Sequence, residues 1–372
     1  MKKFLAILVL TVLVWACSSD NGSSGGGNTD NFDRAAMLTN WADNIIIPAY
    51  TDYENKLTAL QTATTNFTTI VDQTNLDALR TAWLEAYKTW QYVILFSDFS
   101  KAAELNVTRW VNRFPTDVTG IETNITNNFT DLTLSSTNVQ QGFPALDYLL
   151  YGVAADDTAI LAKYDSEANA ANYKNYLTAV VNRLKDLNTP VLNHWNSGYR
   201  NIFIGLTENT NAGGVNILVN DYIYNYEKYF RKYKLGDPLG IFTGNGVEPT
   251  YIESRYGKKS KELLLVVLSA IEDFFSGKHY NSAAIGESFK TYLAYLDAKK
   301  DGQDLVPLML AQMGSARTKL NGLDTDLSNQ INTNVTPVQE TYTEIQKLVP
   351  MLKIDMRSAF NVELDYYDND GD

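Results

Sequence analysis

Cysteine, histidine and positive charge are all scarce in this sequence. Its 372 residues include one Cys and two His. One cysteine excludes an internal disulfide framework, and two histidines exclude a histidine-rich metal site. The sequence has 31 Lys and Arg residues and 43 Asp and Glu residues, which gives a formal net charge of -12. Because nucleic-acid binding depends on clustered Lys and Arg, this balance argues against a nucleic-acid partner. The hydrophobic fraction of 45% is ample for one large domain or two smaller ones.

The amino end resembles a bacterial lipoprotein signal. Lys2 and Lys3 precede a short apolar run, residues 4–14, which is too short to span a bilayer and has the form of a secretory signal. The only cysteine, Cys17, then follows a small residue, as in a lipobox whose Cys is lipidated. We therefore predict a signal peptide over residues 1–16 and a membrane anchor at Cys17. The expected location is extracytoplasmic, on either face of an outer membrane.

The next segment is predicted to be a tether, residues 17–32. After Cys17 it is composed almost entirely of Ser, Gly, Asn, Asp and Thr, and such a composition cannot bury an apolar core. A Gly-rich chain of this length reaches on the order of 20 Å. That reach would hold a folded body just off a membrane surface.

The remaining sequence reads as helices. Apolar residues recur every three or four positions from Leu76 to Ile94, from Val215 to Tyr233, from Leu263 to Phe275 and from Val338 to Leu352. Gly277 is placed to end the third of these helices, and Pro350 to kink the fourth. Further helices are expected near residues 34–60, 173–195, 282–300 and 304–321. Alternation with a period of two occurs only late, at Val362, Leu364 and Tyr366. The pattern predicts an all-α fold of antiparallel bundles with a short extended segment at the end.

Two regions interrupt the helical pattern. Residues 97–158 alternate short apolar pieces with turn residues, and residues 235–257 are rich in Gly, Pro and Asn. Long ordered loops between helices are usually functional. Because both regions carry aromatic and charged residues, they are the expected source of the functional site.

Several segments resemble those of the imelysin-like proteins. Residues 142–152, GFPALDYLLYG, resemble the family's GxHxxE signature and its following Gly. Residues 79–96 resemble its double-Trp helix, and residues 109–117, RWVNRFPTD, a segment that usually ends in Trp-Pro. Residues 232–240 and 247–260 resemble its second-half motif. The resemblance covers essentially the whole chain after the tether, in the same order.

This resemblance implies a particular architecture and two very different activities. The implied fold has two four-helix-bundle halves related by a pseudo-twofold, here residues 33–187 and 188–372, with a pocket where they meet. Some members are described as insulin-cleaving membrane peptidases. Others are components of bacterial ferrous-iron uptake that bind metal or a metal-bearing ligand outside the cytoplasm.

The chain departs from the family at the signature. Gly142 is kept, but the positions of the motif His and Glu are occupied by Pro144 and Asp147. Pro offers no ligand atom and no N–H, and it fits best in the first turn of a helix. Asp147 keeps the carboxylate of the motif Glu on a side chain that is one methylene shorter. The alternative interpretation is that Asp147 is an acid in the first helical turn, where the helix dipole favours negative charge. Neither His194 nor His279 has a partner at metal-binding spacing.

The remaining candidates are carboxylates and arginines. If the halves meet as in the family, Asp147, Glu253 and either Arg109 or Arg255 would line one polar pocket. An oxygen-only site with Asp147 and Glu253 as ligands would suit a hard cation such as calcium, magnesium or ferric iron. The alternative is that these charges pair with one another across the interface. Glu122 is a further acid near this region.

Three functions therefore remain open. The first is an extracytoplasmic lipoprotein that binds a metal, a metal chelate or a protein partner in iron or other metal uptake. The second is a metal-dependent peptidase, against which the loss of the motif His at Pro144 counts strongly. A hydrolase with a catalytic triad is poorly supported too, because no GxSxG nucleophile motif is present. The third is a scaffold that docks a protein partner without metal.

Overall fold

Helices make up nearly all the regular structure of the chain. A computed structural model describes residues 30–365, and the part from Asp33 onward forms one unit. The predicted signal peptide, Cys17 and all but the last residues of the predicted tether lie outside the described residues. Among the helices of residues 30–365, none is long and apolar enough to cross a membrane.

The first half of the described chain contains nine α-helices. They are α1 (Arg34–Asn40), α2 (Ile47–Thr69), α3 (Gln73–Val93), α4 (Ser100–Glu104), α5 (Val107–Val111), α6 (Val118–Thr126), α7 (Gly142–Tyr151), α8 (Asp157–Asp165) and α9 (Ala170–His194). Trp41–Ile46 is π-helical and joins α1 to α2 without a break. Short 3-10 turns occupy Ile94–Phe96 and Ser135–Thr137.

The rest of the chain continues this pattern. Its α-helices are α10 (Arg200–Ile204), α11 (Gly214–Tyr224), α12 (Ser260–Ser276), α13 (Phe289–Tyr295), α14 (Leu305–Asn321), α15 (Leu327–Thr333), α16 (Thr336–Gln346), α17 (Leu348–Pro350) and α18 (Arg357–Ala359). Three π-helical segments, Trp195–Tyr199, Asn225–Gly236 and Met351–Met356, continue from α9, α11 and α17, and Pro249–Tyr251 is a 3-10 turn. The strands β1 (Lys299–Lys300) and β2 (Gln303–Asp304) form one small antiparallel hairpin.

Helix α3 is central to the packing. It lies against α2 on one side and α12 on the other, while α2 also packs on α9, and α12 on α14. Its apolar stripe, including Leu79, Trp83 and Trp90, is buried as the spacing predicts. Burial of such large side chains contributes roughly 1.5–3 kcal/mol each before the cost of ordering them. Helix α3 therefore connects the amino-terminal helices to the carboxy-terminal ones.

The all-α prediction is confirmed, and several local predictions with it. Helix α12 buries its predicted stripe and ends at Gly277, which adopts the left-handed conformation with φ +70°. Helix α7 begins at Gly142, so Pro144 lies in its first turn as expected. Helix α17 ends at Pro350, and the chain continues as a π-helix.

Two local predictions need correction. The helix expected over residues 282–300 is confined to Phe289–Tyr295, because Ser288 caps it at one end and the β1–β2 hairpin follows at the other. The terminal segment has no regular secondary structure over residues 362–365 and pairs with no strand; instead it bonds to the Asn220 side chain through Glu363 O and Asp365 N. Tyr366, the last residue of that prediction, lies outside the described residues.

The division into two bundle halves stays a prediction. The expected boundary between residues 187 and 188 falls within the continuous helix α9, Ala170–His194. That helix packs on α2 and α7 along its length. A division at this point would therefore have to pass through a helix rather than a loop.

Candidate functional site

The signature segment forms α7, and its first glycine is sterically required. Gly142 has φ +76°, and a Cβ built there would lie 2.2 Å from the carbonyl oxygen of Val111. A larger residue would therefore push α7 away from the end of α5. Phe143 stacks on Tyr87 of α3 with ring centroids 4.4 Å apart. These contacts fix the start of α7 against the central helix.

Asp147 holds the loop that precedes α12. Its carboxylate accepts hydrogen bonds from Ser254 Oγ at 3.1 Å, from the Tyr256 N–H at 2.9 Å and from the Gly257 N–H at 2.8 Å. The side chain is buried, and burial raises the pKa of its carboxyl to about 6, although these three hydrogen bonds lower it. A Cβ at Gly257 would lie 2.8 Å from Asp147 Oδ1, so only glycine allows this approach. Asp147 therefore joins the two family motifs.

Glu253 is buried at the start of the same loop and is fully engaged by protein donors. It accepts from Tyr87 Oη at 3.0 Å and Asn112 Nδ2 at 2.7 Å, and it forms an ion pair with Lys234 Nζ. Lys234 also donates to Gln91 Oε1 at 2.9 Å. Burial lowers the pKa of the Lys234 ammonium, and Glu253 opposes that effect. Glu253 and Lys234 thus form a buried ion pair whose charges are compensated. Removing either partner would leave the other charge buried alone and would strongly destabilise the fold.

A polar pocket of about 360 Å³ adjoins this cluster. Asn112 belongs to both, since it donates to Glu253 and also lines the pocket. The other lining side chains are mostly charged or aromatic: Asp98, Asn106, Thr108, Arg109, Arg113, Asn138, Tyr224, Lys228, Tyr229 and Tyr233. A second pocket of about 260 Å³ shares Arg113 and Tyr233 with the first.

The structure separates the two predicted arginines. Arg255 lies in the loop held by Asp147, stacks on the Tyr256 ring at 4.4 Å and donates to Tyr256 Oη at 2.5 Å. Arg109 lies on α5 and lines the polar pocket, where its guanidinium is 5.2 Å from the Trp110 ring. Of the predicted site residues, Asp147 thus contacts the loop that contains Glu253 and Arg255, while Gly142 and Pro144 lie at the start of α7 and Arg109 is exposed at the polar pocket.

The other candidates lie apart from this loop. Glu122 accepts from Tyr148 Oη at 2.7 Å and Tyr173 Oη at 2.6 Å. His194 stacks on Tyr199 at the end of α9, and His279 bonds through its backbone to Ala284. Neither histidine takes the place of the motif His.

The carboxylates as arranged do not fit a bare metal ion. In residues 30–365, no group of three or more Cys, His, Asp and Glu side chains is placed to hold a metal. The Lys234 ammonium occupies the position beside Glu253 that a cation would need, and Asp147 accepts from three donors already. Metal ligation by Asp147 and Glu253 stays a prediction, and it would require both to exchange these protein donors for the ion.

Comparison with known proteins identifies the family of the chain. The family model for imelysin, peptidase family M75, matches residues 46–352. The chain belongs to the imelysin family. No curated protein matches it.

Two solved structures show that this imelysin shares its fold with distant relatives. One, from Parabacteroides distasonis ATCC 8503, is described as an iron-regulated protein A precursor, with 18% identity and a TM-score of 0.72. The other is an imelysin-like protein from Psychrobacter arcticum 273-4, with 17% identity and a TM-score of 0.70. Each alignment covers 90% of this chain and 97% of the relative. At this level of identity, the likeness concerns the fold alone.

Sequence reasoning missed three side chains of this imelysin's site. Lys234, Asn112 and Lys228 were not among the candidates, although Lys234 lies within the second-half motif and Asn112 within the RWVNRFPTD segment. A signal for Lys228 existed in the cluster of Lys, Arg and Tyr at residues 228–234, which is unusual in so acidic a chain. Only the fold brings these residues to Glu253 and the pocket.

Replacing Asp147 tests its role as the support of the loop. We expect Asp147→Ala to lower the free energy of unfolding by about 3 kcal/mol, because it leaves a buried hydroxyl and two backbone N–H groups without an acceptor. Urea denaturation followed by circular dichroism at neutral pH measures the change.

The matched control for this variant is Asp165→Ala. Asp165 is exposed at the end of α8, so its removal should alter stability by no more than about 0.5 kcal/mol. Equal losses in the two variants would show that Asp147 does not hold the loop.

Proposed function

We propose that this imelysin-family protein is an extracytoplasmic, lipid-anchored binding protein that acts in the uptake of iron or another metal and does not cleave peptides. The observation that supports this proposal best is that the signature positions hold no free catalytic or metal-binding group. Position 144 is a buried Pro, and the carboxylates of Asp147 and Glu253 serve as structural acceptors. A site without a free base, a nucleophile or an open metal position favours binding over catalysis.

Metal-dependent peptide hydrolysis is the alternative that the family raises. It requires a metal with an open coordination position and a general base close to the attacking water. Pro144 can serve in neither role. Asp147 and Glu253 could serve only after losing the hydrogen bonds that keep the 253–257 loop in place.

A cleavage assay tests this rejection of peptidase activity. Protein expressed from the full sequence, incubated with a denatured, fluorescently labelled polypeptide and with zinc or ferrous ions, should give no cleavage above that of a heat-inactivated sample. Cleavage that EDTA blocks and that Glu253→Gln removes would overturn the proposal.

Direct metal binding through Asp147 and Glu253 is a second form of the binding function. Calorimetric titration of the chelator-stripped protein with ferrous, ferric, zinc and calcium ions examines it. If the two carboxylates ligate, Asp147→Asn should lower the affinity at least tenfold, since a metal site depends on each of its few ligands. If the heat of metal binding is the same for Asp147→Asn as for the wild type, the metal binds at a site that does not include Asp147.

The proposed anchor depends on Cys17. We expect the wild-type protein to sediment with membranes after cell lysis, and Cys17→Ser to move to the supernatant, because the thioether-linked lipid supplies the membrane affinity. Ultracentrifugation followed by immunoblotting measures the distribution. The control is Ser18→Ala, which keeps the cysteine. Recovery of the wild type in the supernatant would contradict the anchor.

A further inference from the structure

We propose that the polar pocket between α5 and the π-helical segment Asn225–Gly236 binds a small organic polycarboxylate, either free or as an anionic metal chelate. The pocket lies beyond the signature loop and contains neither Asp147 nor Glu253. The proposal stands on the pocket itself, so it does not need either carboxylate to bind a metal.

The pocket's cations are available to a ligand. Arg109 and Arg113 on one wall and Lys228 on the other all line it, and within residues 30–365 none of the three forms a salt bridge. Asp98 is the only acid among the lining residues. The pocket thus carries an excess of two positive charges in a chain of net charge -12. Local fields of this sign concentrate anions at a site.

The ammonium of Lys228 lies among three tyrosine side chains. Its Nζ is 4.4 Å from the Tyr224 ring centroid, 5.7 Å from that of Tyr229 and 6.0 Å from that of Tyr233, and it bonds to Tyr224 Oη. This hydroxyl is a neutral partner, so the ammonium keeps its full positive charge at the pocket.

The size and chemistry of the pocket favour an organic acid over an inorganic ion. A volume of about 360 Å³ is within the range of small-molecule sites and is several times larger than a phosphate ion needs. The planar guanidinium groups of Arg109 and Arg113 match carboxylates, which they bind in a bidentate manner. The amides of Asn106 and Asn138 add donors for hydroxyl or carboxylate oxygens. Two or three carboxylates on a short carbon chain would use these groups together.

The buried cluster of the signature loop supports one wall of the pocket. Asn112 lines the pocket, and its Nδ2 donates to Glu253 at 2.7 Å while its Oδ1 lies 2.6 Å from Tyr87 Oη, whose single proton Asn112 and Glu253 share. These bonds hold the side chain of Asn112, which lies between Arg109 and Arg113 in the sequence. They thereby keep the end of α5 in position. Glu253 and Lys234 are thus positioning residues for this wall.

Asp98 is the acidic side chain among those that line the pocket. Its Oδ1 accepts from Tyr229 Oη at 3.2 Å and Thr108 Oγ1 at 3.3 Å, and its Oδ2 is buried. Burial raises the pKa of this carboxyl to about 6. The other groups that face it are Lys228, Asn225, the hydroxyls of Tyr50 and Tyr224 and, from α11, Asp221, whose own pKa burial and Asp98 raise. Ionised Asp98 therefore opposes an anion above about pH 6, and neutral Asp98 does not.

Calorimetry with citrate and with ferric citrate tests the proposal on protein expressed from the full sequence. We expect saturable binding of at least one of the two with one site per chain. The double variant Arg109→Ala/Arg113→Ala should lower that affinity by about a hundredfold, since each charged hydrogen-bonding partner is worth about tenfold or more. Binding of both ligands identifies the carboxylates as sufficient, and binding of ferric citrate alone identifies the chelate.

The controls distinguish specific binding in the pocket from nonspecific electrostatic attraction. Lys319→Ala removes one positive charge from α14, whose residues do not line the pocket, and should leave binding unchanged. Arg109, Arg113 and Lys319 are exposed, so thermal denaturation of these variants should match the wild type. The proposal is overturned if neither citrate nor ferric citrate binds, if the arginine variant binds as the wild type does, or if inorganic phosphate binds as tightly as citrate.

A second variant tests the geometry around Asp98. At pH 7.5, Asp98→Asn should bind citrate at least several-fold more tightly than the wild type, because it removes a negative charge that faces the anion. At pH 5 the two proteins should bind alike, because the wild-type carboxyl is then protonated. Equal affinity at both pH values would place the ligand away from Asp98 and would contradict the proposed pocket.

Discussion

The hydrogen bonds between Asp147 and the loop at residues 254–257 determine where the rest of the site lies. They hold that loop against α7, and Glu253, the residue before it, is thereby turned inward to Lys234, Tyr87 and Asn112. Asn112 in turn fixes the end of α5 at the polar pocket. A single buried carboxylate therefore orders a chain of polar contacts that runs from the signature helix to solvent. Such a chain is costly to leave half satisfied, which explains why each member has its partner.

The helices that the sequence predicted well are those with one strong apolar stripe. Helices α3 and α12 bury side chains every three or four residues, so a period of 3.6 describes them. The stripe from Val215 to Tyr233 is different, since its second part is π-helical from Asn225 to Gly236. Wider turns change which residues share a face, and Tyr229 and Tyr233 line the pocket instead of filling the core. Helical period alone could not predict that change of register.

The site was predictable in part. The motifs drew attention to Asp147 and Glu253, which lie at the same loop, although neither lines the polar pocket. What each carboxylate does was not predictable, because its partners come from distant parts of the chain: Lys234 from the π-helical segment, Tyr87 from α3 and the N–H groups of residues 256 and 257 from the loop. Glu253 forms its ion pair with Lys234, which was not among the charges that the sequence analysis considered. A pairing between segments so far apart requires the fold to be known.

The departures at Pro144 and Asp147 are consistent with each other in physical terms. Pro144 lacks an N–H, which the first turn of α7 does not need, and Asp147 has a short arm, which suits acceptance from backbone N–H groups that approach closely at Gly257. A longer arm would collide with the same loop unless the loop moved. The signature segment in this chain thus packs α7 in the core and holds the loop at residues 254–257. A ligand has to be bound by other groups, which are not already paired within the protein.

The acidity of the chain does not conflict with a cationic pocket. Charges on a protein surface are screened beyond about 8 Å at physiological ionic strength. A pocket of this volume is on the order of 7 Å across, so a small ligand inside it responds to the nearest cations more than to the many acids elsewhere. A nucleic acid, by contrast, would extend over tens of ångströms and meet the negative surface on every side. The same net charge of -12 therefore argues against a long polyanion while leaving a site for a short one.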